Sequence, residues 1–244
     1  MKAKIYLLFS ALAFTSCYDV EKYVEKKNTS TLPYVRLSPS IGVLANGSDS
    51  LEVRVIFPDR PSKESSAVTF STTEGVFIEN NKAEYTSSEI RRDTLIDSLY
   101  VVAHIKATLS QGTHTLTVTI PEVLKGQIGF QFRASNPETL TTDKSKFGVA
   151  TGFRDEIQLI ANARKKKGLP HKGTRIEFSV EGFTPENSTM FRSRTSTDEK
   201  GQASIYFTPG NSLKLGRANY NVRYIAADTI ISADGTFEVI EPEP

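Results

Sequence analysis

The side chains that could do chemistry in this chain are few and scattered. There are three histidines and one cysteine among 244 residues. His104, His114 and His171 have no second histidine or cysteine at zinc-ligand spacing, and no His-Glu-x-x-His run occurs. His104 falls at an outward position of an alternating stretch, His114 begins another, and His171 lies among turn residues, so all three are expected to face solvent. The adjacent carboxylates Asp155-Glu156 and Asp198-Glu199 would point to opposite faces of a strand, which makes them poor acid–base pairs. There is no Gly-x-Ser-x-Gly elbow and no calcium loop of the Asp-x-Asp-x-Asp-Gly kind. The expectation is a protein that is not an enzyme, with no catalytic residues, no metal and no cofactor.

What remains is the chemistry of contact. The densest charge cluster is Arg164-Lys165-Lys166-Lys167-Gly168-Leu169-Pro170-His171-Lys172-Gly173. Gly168, Pro170 and Gly173 mark it as a connection between strands. Lys165, Lys166 and Lys167 would suit an anionic glycan or lipopolysaccharide, although a solvated loop is the simpler expectation. The stretch 182–194 places Phe183, Met190 and Phe191 beside Pro185 and close to Arg192 and Arg194. Aromatic and arginine side chains together are what interfaces favour, so Phe183, Phe191, Arg192 and Arg194 are candidate anchors. The same aromatics could instead fold under as a plug, and the absence of Trp weakens a sugar-binding platform.

The N-terminus supplies the one covalent candidate. Lys2 and Lys4 precede an apolar run from Ile5 to Phe14, then Thr15-Ser16-Cys17. This is the layout of a secretory signal, too short to cross a membrane as a helix of ~20 apolar residues. A lone cysteine one step past a small residue resembles the bacterial lipobox, which implies removal of residues 1–16 and lipid on Cys17. Phe14 departs from that pattern, standing where Leu is commonest. Without Lys2 and Lys4 the chain carries 28 basic and 28 acidic residues, so neither nucleic acid nor an anionic membrane surface is expected as main partner. Residues 17–32 are a polar tether with too few apolar side chains to pack. Asp19 and Glu21 resemble the export signal of Bacteroidetes surface lipoproteins. The expected location is the outer membrane, lipid-anchored and facing the cell surface, with the periplasmic face as the alternative.

The elements that must position any contact residues are strands. From Pro33 onward, apolar residues alternate with polar ones and turn residues interrupt them. Leu51, Val53, Val55 and Phe57 alternate with Glu52, Arg54 and Ile56. Val101, Ala103, Ile105 and Ala107 form a second set, Leu116, Val118 and Ile120 a third, Phe130 and Phe132 a fourth. The second half repeats the scheme with Ile157, Leu159, Ala161 and Ala163, then Ile176, Phe178 and Val180, then Ala203, Ile205 and Phe207. Asn46-Gly47, Glu74-Gly75 and Gln111-Gly112 punctuate the first half. Asp234-Gly235 is expected to make a hairpin turn before the last strand. Val68-Thr69-Phe70-Ser71 aligns with Ile176-Glu177-Phe178-Ser179, Phe130 with Phe237, and Leu51 with Ile157, at near-constant offsets. That is a tandem repeat. The fold class is all-β: two tandem β-sandwich domains, 33–136 and 137–244.

The stretch from Thr197-Asp198-Glu199-Lys200-Gly201-Gln202-Ala203 to Phe207 resembles the Thr-Asp-x-x-Gly-x-Ala strand of bacterial immunoglobulin-like domains of the invasin and intimin type. Val68-Thr69-Phe70-Ser71-Thr72-Thr73-Glu74-Gly75-Val76-Phe77 and Leu44-Ala45-Asn46-Gly47 resemble other parts of the same family. The first domain has no clean Thr-Asp-x-x-Gly, so 80–98 is expected to be an irregular loop. Asp49-Ser50-Leu51, Asp93-Thr94-Leu95, Asp97-Ser98-Leu99 and Asp228-Thr229-Ile230 resemble the O-glycosylation acceptor of Bacteroidetes, best placed in 93–99.

The resemblance implies a fold and not a function; the residues themselves suggest a binding or adhesion module whose partner is a protein or glycan at the cell surface, met on the loops 164–173 and 182–194, the second preferred. The alternative is an accessory subunit docked on an outer-membrane complex such as a nutrient transporter. The anchor has a direct check: Cys17→Ser should abolish incorporation of radioactive fatty acid and release the protein from membranes. Incorporation that survives the substitution removes the lipid.

Overall fold

The computed structural model of the chain describes residues 32–58, 67–94, 98–182, 188–190, 193–210 and 215–242. The signal, the tether and Cys17 lie outside them. Every regular element among the described residues is a strand.

In the first half one sheet has the order β1 (Tyr34–Ser38), β3 (Ser50–Phe57), β8 (Ser98–Lys106), with β5 (Val76–Phe77) and β7 (Arg91–Asp93) both on the far side of β8. The other has the order β2 (Val43–Leu44), β10 (Leu124–Arg133), β9 (Gly112–Ile120), β4 (Val68–Thr72), β6 (Glu84–Ser87). The second half repeats both. One sheet runs β11 (Thr139–Lys144), β13 (Ile157–Arg164), β17 (Gln202–Pro209), β15 (Ser188–Met190). The other runs β12 (Gly148–Ala150), β19 (Thr229–Ile240), β18 (Gly216–Ala226), β14 (Arg175–Val180), β16 (Arg194–Ser196). In each half the only parallel pairing among the named strands joins a short strand to the last one, β2 to β10 and β12 to β19. The first chain segment of each half thus pairs in one sheet and crosses to the other, as in immunoglobulin-like sandwiches.

Period-two alternation explains why these segments form two-faced sheets. Leu51, Val53 and Val55 are fully buried, with Glu52 and Arg54 between them facing out. They share a core with Phe70, Phe77, Leu116, Val118 and Phe132. Ile157, Leu159, Ala161 and Ala163 do the same in the second half, with Phe178, Tyr220, Val222 and Phe237. The repeat offsets found in the sequence join strands that occupy the same place in their sheets, β4 with β14, β10 with β19 and β3 with β13.

The turn before β17 follows from its residues. The Asp198 carboxylate accepts from the backbone N–H of Lys200 (2.8 Å) and of Gln202 (2.9 Å), and Gly201 has φ +73° with Ala163 O where a Cβ would stand 2.8 Å away. Two expectations need correction. Stretch 80–98 is not an irregular loop, since it holds β6 and β7. Asp234-Gly235 is not a turn: β19 runs through it opposite Tyr220 and Asn221, and the hairpin turns at Ala227-Asp228. Gly235 is required there for another reason. The Tyr220 ring lies across it, 2.3 Å from where a Cβ would be, and its hydroxyl donates to Asp143 O at 2.9 Å.

Because the two cores are distinct, Phe178→Ala should destabilise the second sandwich by ~3–5 kcal/mol and leave the first folded. Methyl NMR during urea titration would follow Val53 and Val222, one from each core. Val222 signals should disappear at lower urea than Val53 signals, and simultaneous loss would contradict separate cores.

Candidate binding site

Strand directions place the candidates. Thr139 pairs with Arg164, and Lys144 with Leu159, so β13 ends and β14 begins at the end of the second sandwich where the chain arrives from the first. The basic connection 165–173 is therefore at the joint between the sandwiches. Among the described residues the opposite end is formed by 145–156, by 181–182 and by the start of β18 and end of β19.

At the joint the basic connection grips the first sandwich through its backbone. Leu169 N–H donates to Asn46 O (3.0 Å), Lys172 N–H to Leu109 O (2.9 Å) and His171 N–H to Ser135 O (2.8 Å). Ser135 Oγ donates to Leu169 O at 3.2 Å. Gly168 has φ +72°, and a Cβ on it would stand 2.2 Å from Asn46 O. Asn46 is fixed from below, its side-chain oxygen accepting from Ser48 N–H and Asp49 N–H. His171 is only 8% exposed, which corrects the expectation of a solvent-facing ring. Its Nδ1 lies 3.0 Å from Ser135 O, and a carbonyl only accepts, so Nδ1 carries the proton. His114 is also turned inward, its ring against Phe130 and Phe132 with Nε2 buried and unpartnered. His104 is half-exposed, with Nδ1 2.8 Å from Glu79 Oε1.

The lysines proposed for a polyanion are largely occupied. Lys167 pairs with Asp49 of the first sandwich at 2.6 Å. Lys165 donates to Asn136 O at 2.8 Å and lies 3.4 Å from Glu138. Lys166 gives its backbone N–H to Glu138 and lines, with Lys165, Glu138 and Thr139, a cavity of ≈ 510 Å³. The connection is a structural clasp on the first sandwich rather than the merely solvated loop of the simpler expectation. Phe183, Phe191 and Arg192 lie outside the described residues. Arg194 sits in β16, its guanidinium paired with Glu177, so it is committed to the sheet.

Sequence reasoning missed a different pair of aromatics at the end away from the joint. Phe147 is 83% exposed, and Phe153 50%. Ile240 and Leu215, each about half exposed, lie at the same end of the sheet. Ile240 packs over Gly148, and Leu215 immediately precedes Gly216, which faces Val239. The Lys144 ammonium lies 5.3 Å from the centre of the Phe147 ring and donates to Thr236 O. The loop carrying both rings is held stiffly. Asp155 pairs with Lys146 and accepts from the N–H groups of Ala150 and Glu156. The Lys146 ammonium holds the Asp155 carboxyl below the usual carboxylate range. Phe153 has φ +58°, a left-handed backbone that non-glycine residues seldom adopt. Phe153 N–H to Pro209 O (3.0 Å) and Gly152 N–H to Gly210 O (2.9 Å) keep it there. A strained, hydrogen-bonded turn that presents an apolar ring to water suits a contact residue. The signal available in the sequence was an aromatic beside a glycine twice within one polar loop, Phe147-Gly148 and Gly152-Phe153.

Among the described residues no group of three or more His, Cys, Asp and Glu side chains gathers to hold a metal. No protein-family model matches the chain, and no curated protein matches it. Solved structures do. The Yersinia pseudotuberculosis adhesin InvE superposes with a TM-score of 0.53 and 18% identity over 84% of this chain and 58% of that one. Invasin, described as a bacterial integrin-binding protein, superposes with a TM-score of 0.55 and 16% identity over 86% of this chain and 39% of that one. This chain therefore spans well under two thirds of either.

The clasp can be tested by substitution and by pH. Gly168→Ala should cost about 1–3 kcal/mol through strain and clash and raise the radius of gyration in small-angle scattering. Asp49 is partly buried, which alone would raise its pKa, but hydrogen bonds from Lys167 and Asn46 win and lower it. A lowered folded pKa stabilises above the unfolded value of about 4 and is lost as pH falls through the folded one. Asp49→Asn should therefore lower the urea midpoint at pH 7, by less than about 1 kcal/mol because Lys167 is exposed, and change nothing once the wild-type carboxylate is protonated. With the strand order and the superpositions together, both sandwiches have the bacterial immunoglobulin-like fold of the invasin-type adhesins.

Proposed function

We propose that this protein is a non-catalytic binding module of the cell surface, carried by lipid on Cys17, that engages a protein partner through the end of its second sandwich. The observation that carries this is the Phe147 ring, exposed at 83% on a loop whose backbone is fixed by Asp155. An exposed aromatic normally costs solubility and is kept where something covers it. The same end also exposes Ile240, Leu215 and Phe153, with the Lys144 ammonium 5.3 Å from the centre of the Phe147 ring, a mostly apolar surface that suits a protein better than a sugar. The printed descriptions of InvE as an adhesin and of invasin as integrin-binding support a role in attachment, and the partner of this chain is left to its own surface.

The test is a pull-down from detergent-solubilised membranes with wild-type protein and with Phe147→Ser, Phe153→Ser and the double variant. These positions are exposed, so stability should stay within about 0.5 kcal/mol. Removing the anchors should cost about 2 kcal/mol or more of binding, seen as loss of the captured protein. Unchanged capture by folded variants would turn the reading to a subunit docked laterally on an outer-membrane complex.

A further inference from the structure

The outward face of β1, β3 and β8 is more elaborate than solubility requires. Across the β1–β3 ladder Arg36 stands directly opposite Arg54, and like charges so placed repel. Arg54 is fixed. Its Nε donates to Glu52 Oε1 at 2.7 Å, Nη1 lies 3.5 Å from Asp93 Oδ2, and its guanidinium carbon is 4.7 Å above the Tyr100 ring. Arg91 has Glu89, and His104 has Glu79. Arg36 is exposed and has no acidic partner among the described residues. It borders a cavity of ≈ 150 Å³ lined also by Ser38, Glu52 and Arg54. Glu52 Oε2 is 3.7 Å from His104 Nε2, too far for a normal hydrogen bond, and so keeps accepting capacity. Tyr34, 53% exposed, is two residues before Arg36 and shares its face.

The cavity thus offers an unpaired guanidinium, a carboxylate able to accept, a hydroxyl and, beside them, an open aromatic ring. A ligand that satisfies all four must carry an anion, hydroxyl donors and an apolar C–H face on a scaffold of more than one ring, since Tyr34 and Ser38 stand at opposite ends of β1. A bare carboxylate brings acceptors only and would meet Glu52 with repulsion, so the ligand must carry donors beside its anion, as the ring hydroxyls of an acidic sugar do. We propose that this face binds an anionic saccharide, with Arg36 receiving the carboxylate or sulfate, Glu52 and Ser38 the ring hydroxyls, and Tyr34 the face of the ring. Arg54, held by Glu52 and Asp93, forms the rigid wall that keeps a second positive charge against the anion. This site is on the first sandwich, so it stands or falls separately from the aromatic end of the second.

The experiment is calorimetric titration of residues 17–244 with tetragalacturonate, with the same oligosaccharide fully methyl-esterified, with a sulfated tetrasaccharide and with an oligoglutamate of equal charge. Tetragalacturonate or the sulfated sugar should bind, whichever does identifying the anion, and affinity should fall as salt rises. The methyl ester should bind at least tenfold more weakly than the uronate if the uronate is the ligand. Arg36→Ala should lower affinity at least tenfold and Tyr34→Ala several-fold, with circular dichroism unchanged and Phe147→Ser binding as wild type. Absence of binding to both acidic sugars overturns the proposal. So does unchanged affinity in Arg36→Ala, and so does oligoglutamate binding as tightly as the sugar, which would make the face a site for acidic peptides.

Discussion

The close approach of two backbones at Asn46 and Gly168 is the constraint on which the rest of this molecule depends. Each sandwich has its own apolar core, so nothing hydrophobic of comparable size fixes one against the other. What does so is a set of peptide groups that meet at 2.8–3.0 Å across the joint. Leu169, His171 and Lys172 donate there, and the approach is possible only because position 168 has no Cβ. Each such bond is worth about 0.5–1.5 kcal/mol net, and leaving a buried partner unmet costs more than the bond gains. The joint is thus weaker than either core and yet specific, since a sliding contact would strand the buried Ser135 and His171 groups. That specificity lets a site at the far end of the second sandwich hold a defined position relative to the first.

Inside, the two sandwiches are near copies. Outside, they are not. The inward rows of β3 and β13 are equally buried, while the outward row of β3 carries Glu52 and Arg54 and that of β13 carries Gln158, Ile160 and Asn162. The core requires only apolar side chains of compatible volume at alternate positions, so it constrains the outward rows little. The same holds for the likeness to InvE and invasin. At 18% and 16% identity what is shared is the packing scheme, and function resides in what is grafted on it.

The sequence revealed the fold because burial in a sheet is local and periodic: Leu51, Val53 and Val55 announce an inward face without reference to any partner. It revealed the Asp198-to-Gly201 turn because the hydrogen bonds to the Asp198 carboxylate that shape it lie within five residues. It did not reveal what depends on distant partners. Gly235 looks like a turn glycine, but it is needed because the Tyr220 ring crosses a neighbouring strand at that point. His171 looks exposed among glycines, but Ser135 from the far side of the joint covers it. The basic run 164–173 was correctly read as a connection, but its docking on Asn46 and Asp49 required knowing which end of the sandwich it occupies. Phe147 is not conspicuous in the sequence because an aromatic in a loop is ordinarily a plug, and only its exposure in the folded chain says otherwise.

Lys165 and Lys167 suit an anionic glycan and Arg194 a protein interface when read from sequence, yet in the folded chain their charges are already matched by Glu138, Asp49 and Glu177. A matched pair has little left to offer a partner, because binding must first break a contact of similar strength. Phe147 and Arg36 are the reverse case. One is an apolar ring left largely in water, with the Lys144 ammonium beside it, and the other is a guanidinium opposite a second guanidinium with no acidic partner among the described residues. Both lie on backbone that is itself well held, by Asp155 in one case and by the β1–β3 ladder in the other. Unsatisfied groups on rigid supports gain the most when a partner arrives, since the partner supplies what is missing and little conformational freedom is lost in taking it. On that physical ground we propose these two positions as the contacts of this surface.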